Sequence, residues 1–292
     1  MTENEVQALA REYPDWQPWL LVIEAVMREV TNSKWETSVP SRAETQAANV
    51  PLLAGLTIAL DLERIRHWQQ QLVQTSVRSG APKMSPLDSI KKNTVNTAAV
   101  FKAALCEDGA GLKRIANDLG VDADAFSAVA LLIPVPFLHA CNRHWARSRS
   151  PGWTAGYCPT CGAWPSFAEL RGIERSRYLR CGRCGAEWQA HVLFCSFCGN
   201  SDHKELGSLL PEKSGSTRAI ETCNRCRGYL KTFTKLQGSA APKIILDDLA
   251  SVDLDIAALD HGFKRPAGPG YSLNCEVVGK QGFSQRIFGR NL

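Results

Sequence analysis

The apolar residues in the first half of the chain recur every three or four positions. Between Trp16 and Val30 this spacing predicts an amphipathic helix. A second helix is predicted from Pro51 to Ser79, because proline suits a first helical turn and Ser79-Gly80 suits a stop. Further helices are predicted over about residues 87–105, 110–119 and 123–146. Pro134 and Pro136 must interrupt the last of these helices.

Residues 150–235 carry a different pattern, in which short β-prone runs alternate with turn residues. One β-hairpin is predicted from residues 164–170 and 177–180, with a turn at Arg171-Gly172. A second is predicted from residues 204–210 and 217–221, with a turn at 213–216. An aromatic strand follows each hairpin, with Trp188 in one and Tyr229 and Phe233 in the other. The two halves therefore form an internal repeat.

After Pro242 the chain returns to helical spacing, and a closing helix is predicted from Ile244 to Leu259. From about Leu273 no period is visible, which predicts a loosely held tail. The predicted fold class is α+β: an N-terminal helical bundle, two tandem rubredoxin-like or zinc-ribbon subdomains and a C-terminal helix. The predicted divisions are residues 1–149, 150–192, 193–240 and 241–292.

Eight of the eleven cysteines form four C-x-x-C pairs in the β-prone region. Two pairs about twenty residues apart are typical of zinc ribbons and rubredoxins, in which a hairpin brings two turns together as a tetrahedral site of four sulfurs. Local pairing is favoured, because each half has its own hairpin. A cross-braced pairing has the same cysteine count. The predicted metal ligands are Cys158, Cys161, Cys181 and Cys184 in one site and Cys195, Cys198, Cys223 and Cys226 in the other. Gly162, Gly185 and Gly199 follow second cysteines, where a positive φ is expected.

The spacing alone favours structural zinc over iron at these sites. Zinc ligation contributes about 10–16 kcal/mol in small peptides, against about 2–4 kcal/mol for a disulfide, so metal binding would stabilise a segment with a thin core. Iron in the same four-sulfur geometry would add one-electron redox chemistry, which zinc lacks.

The other three cysteines carry weaker signals. Cys106 lies in an apolar helix and is predicted to be in the core. Cys141 and His144 are one helical turn apart, so both could face one ligand, although ordinary packing is the favoured interpretation. Cys275 falls in the predicted tail.

The net charge of +5 is confined to the cysteine-rich region. Residues 151–240 hold 12 Lys and Arg against 7 Asp and Glu, whereas residues 1–150 hold 16 against 16 and residues 241–292 hold 6 against 6. Four thiolates around a divalent ion carry about −2 per site, so the basic excess fits compensation of metal centres. A nucleic-acid patch is the alternative interpretation of the same charge.

Several function classes are not supported by the sequence. It has no glycine-rich phosphate loop, nucleophile elbow or His-Glu metal helix, so no enzyme is predicted. The acidic, polar N-terminus does not resemble a secretory signal. The longest uncharged run, Ala125–Asn142, contains two prolines and is a poor membrane span. We therefore expect a soluble, cytoplasmic protein, in which C-x-x-C pairs favour metal or redox chemistry over disulfides.

Four cysteine motifs and two later motifs occur in an order that resembles one known family. They are YCPTCG from Tyr157 to Gly162, RYLRCGRCG from Arg177 to Gly185, FCSFCG from Phe194 to Gly199, ETCNRCRGYLK from Glu221 to Lys231, DDLA from Asp247 to Ala250, and GFKR from Gly262 to Arg265. This arrangement resembles the formate dehydrogenase accessory protein family, FdhE, over nearly the whole chain. The tail from about Leu273 does not match the family pattern.

The resemblance implies a cytoplasmic maturation factor that is required for active respiratory formate dehydrogenase. It implies binding of the molybdenum-containing catalytic subunit before twin-arginine export, and rubredoxin-like iron at the eight cysteines. Zinc is the alternative metal. Two other functions compete with this interpretation. One is a nucleic-acid-binding double zinc ribbon that uses Arg175, Arg177, Arg180 and Arg183, although nucleic acid is the less favoured partner. The other is a small electron carrier.

Overall fold

The structure is a computed structural model, and it describes residues 2–41, 47–80, 83–89, 95–148, 152–211 and 216–280. Helices dominate the first half and strands the second. The helices are α1 (Thr2–Glu12), α2 (Gln17–Glu29), α3 (Leu62–Arg78), α4 (Thr97–Leu105), α5 (Gly109–Leu119), α6 (Ala123–Ala130), α7 (Val135–Trp145), α8 (Ile244–Leu249) and α9 (Val252–Asp260). The strands are β1 (Thr57–Leu60), β2 (Phe167–Arg171), β3 (Ser176–Arg180), β4 (Glu187–Gln189), β5 (Leu206–Leu209), β6 (Arg218–Cys223), β7 (Tyr229–Lys235) and β8 (Glu276–Gly279).

Polar caps define the starts of the helices in the N-terminal half. The side chains of Asp61, Asn96, Asp108 and Asp122 each accept a hydrogen bond from a backbone N–H in the first turn of α3, α4, α5 and α6, which satisfies donors that the helix leaves unpaired. Gly120 ends α5 in the left-handed conformation, with φ 68°. The helical character predicted for this half is therefore confirmed.

The single helix predicted from Pro51 to Ser79 is wrong in its first third. That segment contains a turn and then strand β1, and helix α3 begins only at Leu62. Tertiary contacts override the helical spacing: the N–H groups of Leu52 and Leu53 donate to the carbonyls of Pro159 and Thr160 in the first C-x-x-C turn. Part of the helix predicted over 87–105 lies outside the described residues.

The apolar segment Ala123–Trp145 belongs to the protein core. It is long and apolar enough to cross a membrane by length and composition alone, but 72% of its most apolar window is buried inside the protein. A turn at residues 131–134 separates α6 from α7, with Pro134 capping α7. The interruption predicted from the two prolines is therefore confirmed.

Within the described residues, the strands of both cysteine-rich halves belong to one six-stranded sheet. Its order is β4-β3-β2-β7-β6-β5. Neighbours pair antiparallel except at the centre, where β2 and β7 run parallel with Phe167 opposite Lys231. Both predicted hairpins and both aromatic strands are present, and residues 212–215 of the second turn lie outside the described part. The predicted boundary at 192/193 falls between β4 and β5, which form opposite edges of the sheet.

The two faces of this sheet pack against different elements. Ala168, Leu179 and Leu230 belong to the same buried cluster as the N-terminal helices. Phe167, Phe233 and Ile220 point the other way and form a second cluster with α8 and α9. Because side chains alternate along a strand, the sheet is covered on both sides.

The predicted closing helix is two short helices, α8 and α9, separated at Ala250-Ser251. They are tied to the sheet by the buried ammonium of Lys231, which lies 2.6 Å from Asp248 and 2.8 Å from Asp255. Arg265 contacts the same two carboxylates at 3.0 and 2.8 Å. Two cations and two anions thus balance one another on this face, as a buried charge requires.

The prediction of a loosely held tail from Leu273 is wrong for the described residues. Leu273 and Cys275 are buried in the main core, and β8 pairs in parallel with β1. The N–H of Gly55 also donates to the carbonyl of Leu273, with an N–O distance of 2.8 Å. The segment is held by a partner strand at the opposite end of the sequence, which no local period reveals. Residues 281–292 lie outside the described part.

Glu169 is a fully buried carboxylate at the centre of the sheet. Its oxygens accept from Arg180 at 2.7 Å and from the Ser239 backbone N–H at 3.0 Å, and Arg171 adds two further bonds. Burial opposes ionisation, but the Ser239 N–H and the two guanidinium groups outweigh it and lower the pKa of Glu169 to about 2.

We predict that Glu169→Gln lowers the free energy of unfolding by about 3 kcal/mol at pH 7, because buried cations lose their counter-charge. Since the folded-state pKa lies below the unfolded value, the contribution is complete above about pH 5 and is lost as the pH falls toward 2. Urea unfolding at several pH values should show the gap to the unsubstituted protein narrowing on acidification.

Glu63→Gln serves as the control, because Glu63 pairs with Arg66 on the exposed face of α3 and such pairs contribute little. A pH-independent gap for Glu169→Gln, or an equal loss in the control, would contradict the assignment.

Candidate metal centres

The first four-cysteine group brings two C-x-x-C turns together inside the core. The group is Cys158, Cys161, Cys181 and Cys184, all buried, with ligand atoms within 4.8 Å of one another. The Sγ atoms of Cys158 and Cys184 are 3.5 Å apart, and those of Cys161 and Cys181 are 3.6 Å apart. A disulfide needs about 2.05 Å, so these are separate thiols.

The spacing of the sulfurs fits a tetrahedral metal ion. Four sulfurs at about 2.3 Å from one cation lie about 3.8 Å from each other, and the shortest Sγ–Sγ distances within the two groups run from 3.5 to 3.8 Å. Four thiolates leave no open coordination position of the kind that catalytic zinc keeps. The donor set therefore fits a closed four-sulfur zinc or iron site.

Each turn positions its cysteines by the same backbone pattern. The N–H of Cys158 donates to the carbonyl of Ala163, and the N–H of Gly162 donates back to the carbonyl of Cys158. The second and third turns repeat both bonds. The predicted positive φ is confirmed at Gly162, Gly185 and Gly199, each at 72°. At the fourth turn Arg227 takes this conformation, with φ 57°.

The first group is enclosed by elements from both ends of the chain. A Cβ atom at Gly185 would lie 2.8 Å from Cε1 of His139 in α7, and one at Gly162 would lie 2.9 Å from the carbonyl of Tyr271. Glycine is thus required at both positions for close approach as well as for backbone conformation.

Arg183, between the third and fourth sulfurs, anchors this site to α4. Its guanidinium donates to the carbonyls of Ala104 and Leu105 at 2.7 and 3.1 Å, and it pairs with Glu107 at 2.8 Å. The positive charge also lies beside three of the sulfurs. The sequence signalled Arg183 only as one of several basic residues.

The sulfurs of the first group influence one another's ionisation. Hydrogen bonds from Cys158 and its neighbours lower the pKa of Cys181 well below the ordinary value, whereas burial and the neighbouring sulfurs raise the pKa of Cys184. Thiols that are hydrogen-bonded to one another in this way lose their protons when a cation binds, because the metal ligand is the thiolate.

The second group has the same arrangement but lies closer to solvent. It consists of Cys195, Cys198, Cys223 and Cys226, and the structure thus forms the local pairing at both groups. Sγ–Sγ distances are 3.7 Å for Cys195–Cys226 and 3.8 Å for Cys198–Cys223. Cys198 is exposed and Cys226 half-buried. The sequence did not indicate this asymmetry, nor the amide of Asn200, which lies 3.9 Å from the sulfur of Cys223.

The three remaining cysteines lie outside both groups. Cys141 is buried in α7 while His144 is exposed, so the two do not face one ligand. Cys106 caps the end of α4 and is half-buried, so its placement in the core is only partly correct. Cys275 is fully buried beside it, and neither is part of a four-ligand group in the described residues.

Internal ion pairs account for much of the basic excess. Arg177 is 1% exposed and lies 2.6 Å from Glu221. Arg180 is also buried and pairs with Glu169, and Arg183 pairs with Glu107 just after the end of α4. Of the four arginines considered for phosphate contact, Arg175 alone is exposed. Three of these guanidinium groups are therefore committed to the protein interior.

Several known proteins are similar to this chain in sequence. A family model described as "FdhE, C-terminal domain" matches residues 193–270, which hold the whole second group and helices α8 and α9. The chain is 34% identical over 146 residues to an FdhE homologue of Pseudomonas aeruginosa, covering 45% of this chain and 47% of the relative. It is 30% identical over 151 residues to an FdhE homologue of Aquifex aeolicus, covering 50% and 51%. Residues 193–270 thus match the FdhE C-terminal domain, and the chain is similar to FdhE homologues over about half of its length.

The FdhE fold extends over almost the whole chain. The crystal structure of the FdhE protein from Pseudomonas aeruginosa superposes with a TM-score of 0.55, covering 92% of this chain and 93% of that one at 22% identity. In sequence, the chain spans about half the length of these two curated FdhE relatives. The predicted fold class is confirmed.

We predict that a chelator removes metal in two phases, one equivalent each, and that the phases differ in rate by at least about tenfold, since the apolar shell around a site controls solvent access. The fast phase belongs to the group that contains exposed Cys198. Cys198→Ser should remove the fast phase alone. Cys158→Ser should remove the slow phase and also lower the stability of the helical half.

Metal analysis by mass spectrometry and circular dichroism at 222 nm would follow the two variants. Two equivalents retained in Cys158→Ser, or equal release rates in the unsubstituted protein, would be inconsistent with these ligand sets.

Proposed function

We propose that this protein is a non-enzymatic maturation factor that acts in the cytoplasm and binds the catalytic subunit of formate dehydrogenase. The observation that carries the proposal is the pair of four-sulfur groups on one sheet in a chain that is similar to FdhE homologues. In both groups protein sulfurs would fill all four coordination positions of an ion. Such a site suits a structural role or one-electron transfer, and it leaves no position at which water could be activated.

The arrangement of the C-x-x-C pairs fits a reducing compartment. All four pairs belong to four-sulfur groups with metal-ligand geometry. Such pairs favour metal ligation in the cytoplasm, whereas structural disulfides are typical of oxidising compartments.

An apolar groove beside the second group is the docking surface that we assign to the client. It has a volume of 360 Å³ and lies on the sheet face that carries Leu170 and Arg177. Three apolar side chains around it are exposed: Val192 by 59%, Leu193 by 60% and Leu210 by 73%. Clustered exposed apolar residues mark protein interaction sites, and Cys195 and Cys223 line the same groove.

The floor of the groove is formed by the sheet, including the side chains of Arg177 and Thr232. Both side chains are buried, so the exposed apolar residues at the rim provide the surface that a client would contact. A docked client would lie against the second metal centre.

We predict that the tagged protein captures the formate dehydrogenase catalytic subunit and that Leu210→Asp or Leu193→Asp weakens capture by at least about tenfold, about 1.4 kcal/mol. A charge in the groove would have to be desolvated on binding. Leu236→Asp is the matched control, because Leu236 is 87% exposed and does not line the groove. Quantitative pull-down against client concentration would measure the effect.

Failure to capture the subunit, together with normal formate oxidation in a deletion strain, would refute the proposed function. Capture that withstands both groove substitutions would refute the docking surface alone.

We also propose iron as the ion in both groups, as the family resemblance implies. Protein purified without oxygen should hold two iron atoms per chain and show a visible absorption that bleaches on reduction. Metal analysis with absorption spectroscopy would test this, and a colourless protein with two zinc ions would refute it.

Exposed Cys198 favours one second candidate, a small electron carrier, because a sulfur at the surface gives electrons a short path from the ion. Reversible bleaching without client capture would support the carrier and refute the maturation factor.

A further inference from the structure

Two of the cysteines outside the metal groups meet at a cavity between helix α4 and strand β8. The cavity has a volume of 450 Å³ and is lined by both Cys106 and Cys275. Cys106 is half-buried at the end of α4, and Cys275 directly precedes β8. The two sulfurs therefore share one opening although they come from distant parts of the sequence.

A salt bridge joins the helix to the strand at this point. Lys102 and Cys106 are one turn apart on α4 and so lie on the same face. Lys102 Nζ is 2.9 Å from Oε1 of Glu276, the residue that follows Cys275. The cysteines are consequently brought together by the same pairing.

The two cysteines interact across the cavity that both line. The thiol and the backbone N–H of Cys275 are close enough to Cys106 to lower the pKa of its sulfur. The Cys275 sulfur also lies 3.0 Å from the carbonyl oxygen of Leu53. Both thiols are free.

These contacts make the two thiols unequal. The hydrogen bond from Cys275, aided by Lys102 and Arg183, lowers the pKa of Cys106 to about 6 despite its partial burial. The interaction with Cys106 and burial raise the pKa of Cys275 well above its ordinary value. Near neutral pH Cys106 is thus mainly the thiolate, the form that attacks disulfides.

We propose that Cys106 and Cys275 are a redox-active dithiol that reacts with small-molecule disulfides. The Cys106 thiolate attacks one sulfur of R–S–S–R, forms a mixed disulfide and releases RS⁻. The Cys275 thiol gives its proton to that RS⁻ and attacks the Cys106 sulfur, which releases the second RS⁻. Two cysteine sulfurs are oxidised to one disulfide, and the small disulfide is reduced to one thiol and one thiolate, which takes its proton from water.

Cys141 provides an internal contrast. It is fully buried in α7, and burial raises the pKa of its thiol well above the ordinary value. It does not line the cavity. Cys141 therefore lacks both the access and the thiolate character of Cys106, and it has no cysteine partner at the cavity.

The dithiol would connect redox state to the first metal centre. A bond between Cys106 and Cys275 joins α4 to the segment that leads into β8. That segment also accepts a hydrogen bond from Gly55 and donates one from Tyr271 to the first C-x-x-C turn. Oxidation would therefore fasten the C-terminal segment over the first four-cysteine group without using any of its sulfurs.

The test is oxidation of the full-length, metal-loaded protein with oxidised glutathione under anaerobic conditions. Remaining thiols are then blocked with N-ethylmaleimide and the peptides are mapped by mass spectrometry. We expect a Cys106–Cys275 linked peptide with both metal equivalents retained. Cys275→Ser should trap glutathione on Cys106, because the resolving thiol is missing. Cys106→Ser should leave Cys275 unmodified.

Cys141→Ser is the matched control and should form the same linked peptide as the unsubstituted protein. Alkylation of Cys106 by iodoacetamide should be half-maximal near pH 6, which a merely buried thiol would not show. The proposal is overturned if Cys275→Ser takes up no glutathione at Cys106, or if the cysteines of the metal groups oxidise first. Circular dichroism of each variant distinguishes these results from misfolding.

Discussion

The sulfurs of Cys158, Cys161, Cys181 and Cys184 meet inside the same apolar cluster that holds the N-terminal helices together. Thiolates in such a place are costly unless a cation compensates them. Ion binding, closure of the first ribbon and packing of the helical half are therefore one process. Arg183 links the site to the end of α4 through a hydrogen bond to the carbonyl of Ala104. Gly185 packs closely against α7, which fixes the position of the site relative to that helix.

The second four-cysteine group adjoins the same sheet as the first group, but it is not enclosed by the protein core. Parallel pairing of β2 with β7 joins the two ribbons, so the second group is held by the rigid first half while its own Cys198 remains exposed. The apolar groove lies beside this accessible group. The sheet therefore carries one four-cysteine group enclosed in the core and one that is accessible to solvent.

Prediction from sequence succeeded where the physical signal is local. The C-x-x-C turns, their positive-φ glycines, the hairpins and the capped helices all depend on residues a few positions apart. It failed at β1 and around Cys275, because each depends on a partner at the other end of the chain. The sequence likewise suggests that Arg177 is a surface cation. Only the tertiary structure places it in the interior, where it pairs with Glu221 of β6 although β2 and β7 lie between the two strands in the sheet order.

The sequence by itself determined the donor atoms: eight cysteines in four turns of fixed geometry, enough to indicate two four-sulfur groups and a resemblance to one family. Only the tertiary structure decided that the groups differ in burial, that the basic residues neutralise buried carboxylates, and that Cys106 faces Cys275. The reason is that a C-x-x-C turn is shaped by its own backbone hydrogen bonds. Burial and the pairing of charges instead depend on which distant segments pack against that turn.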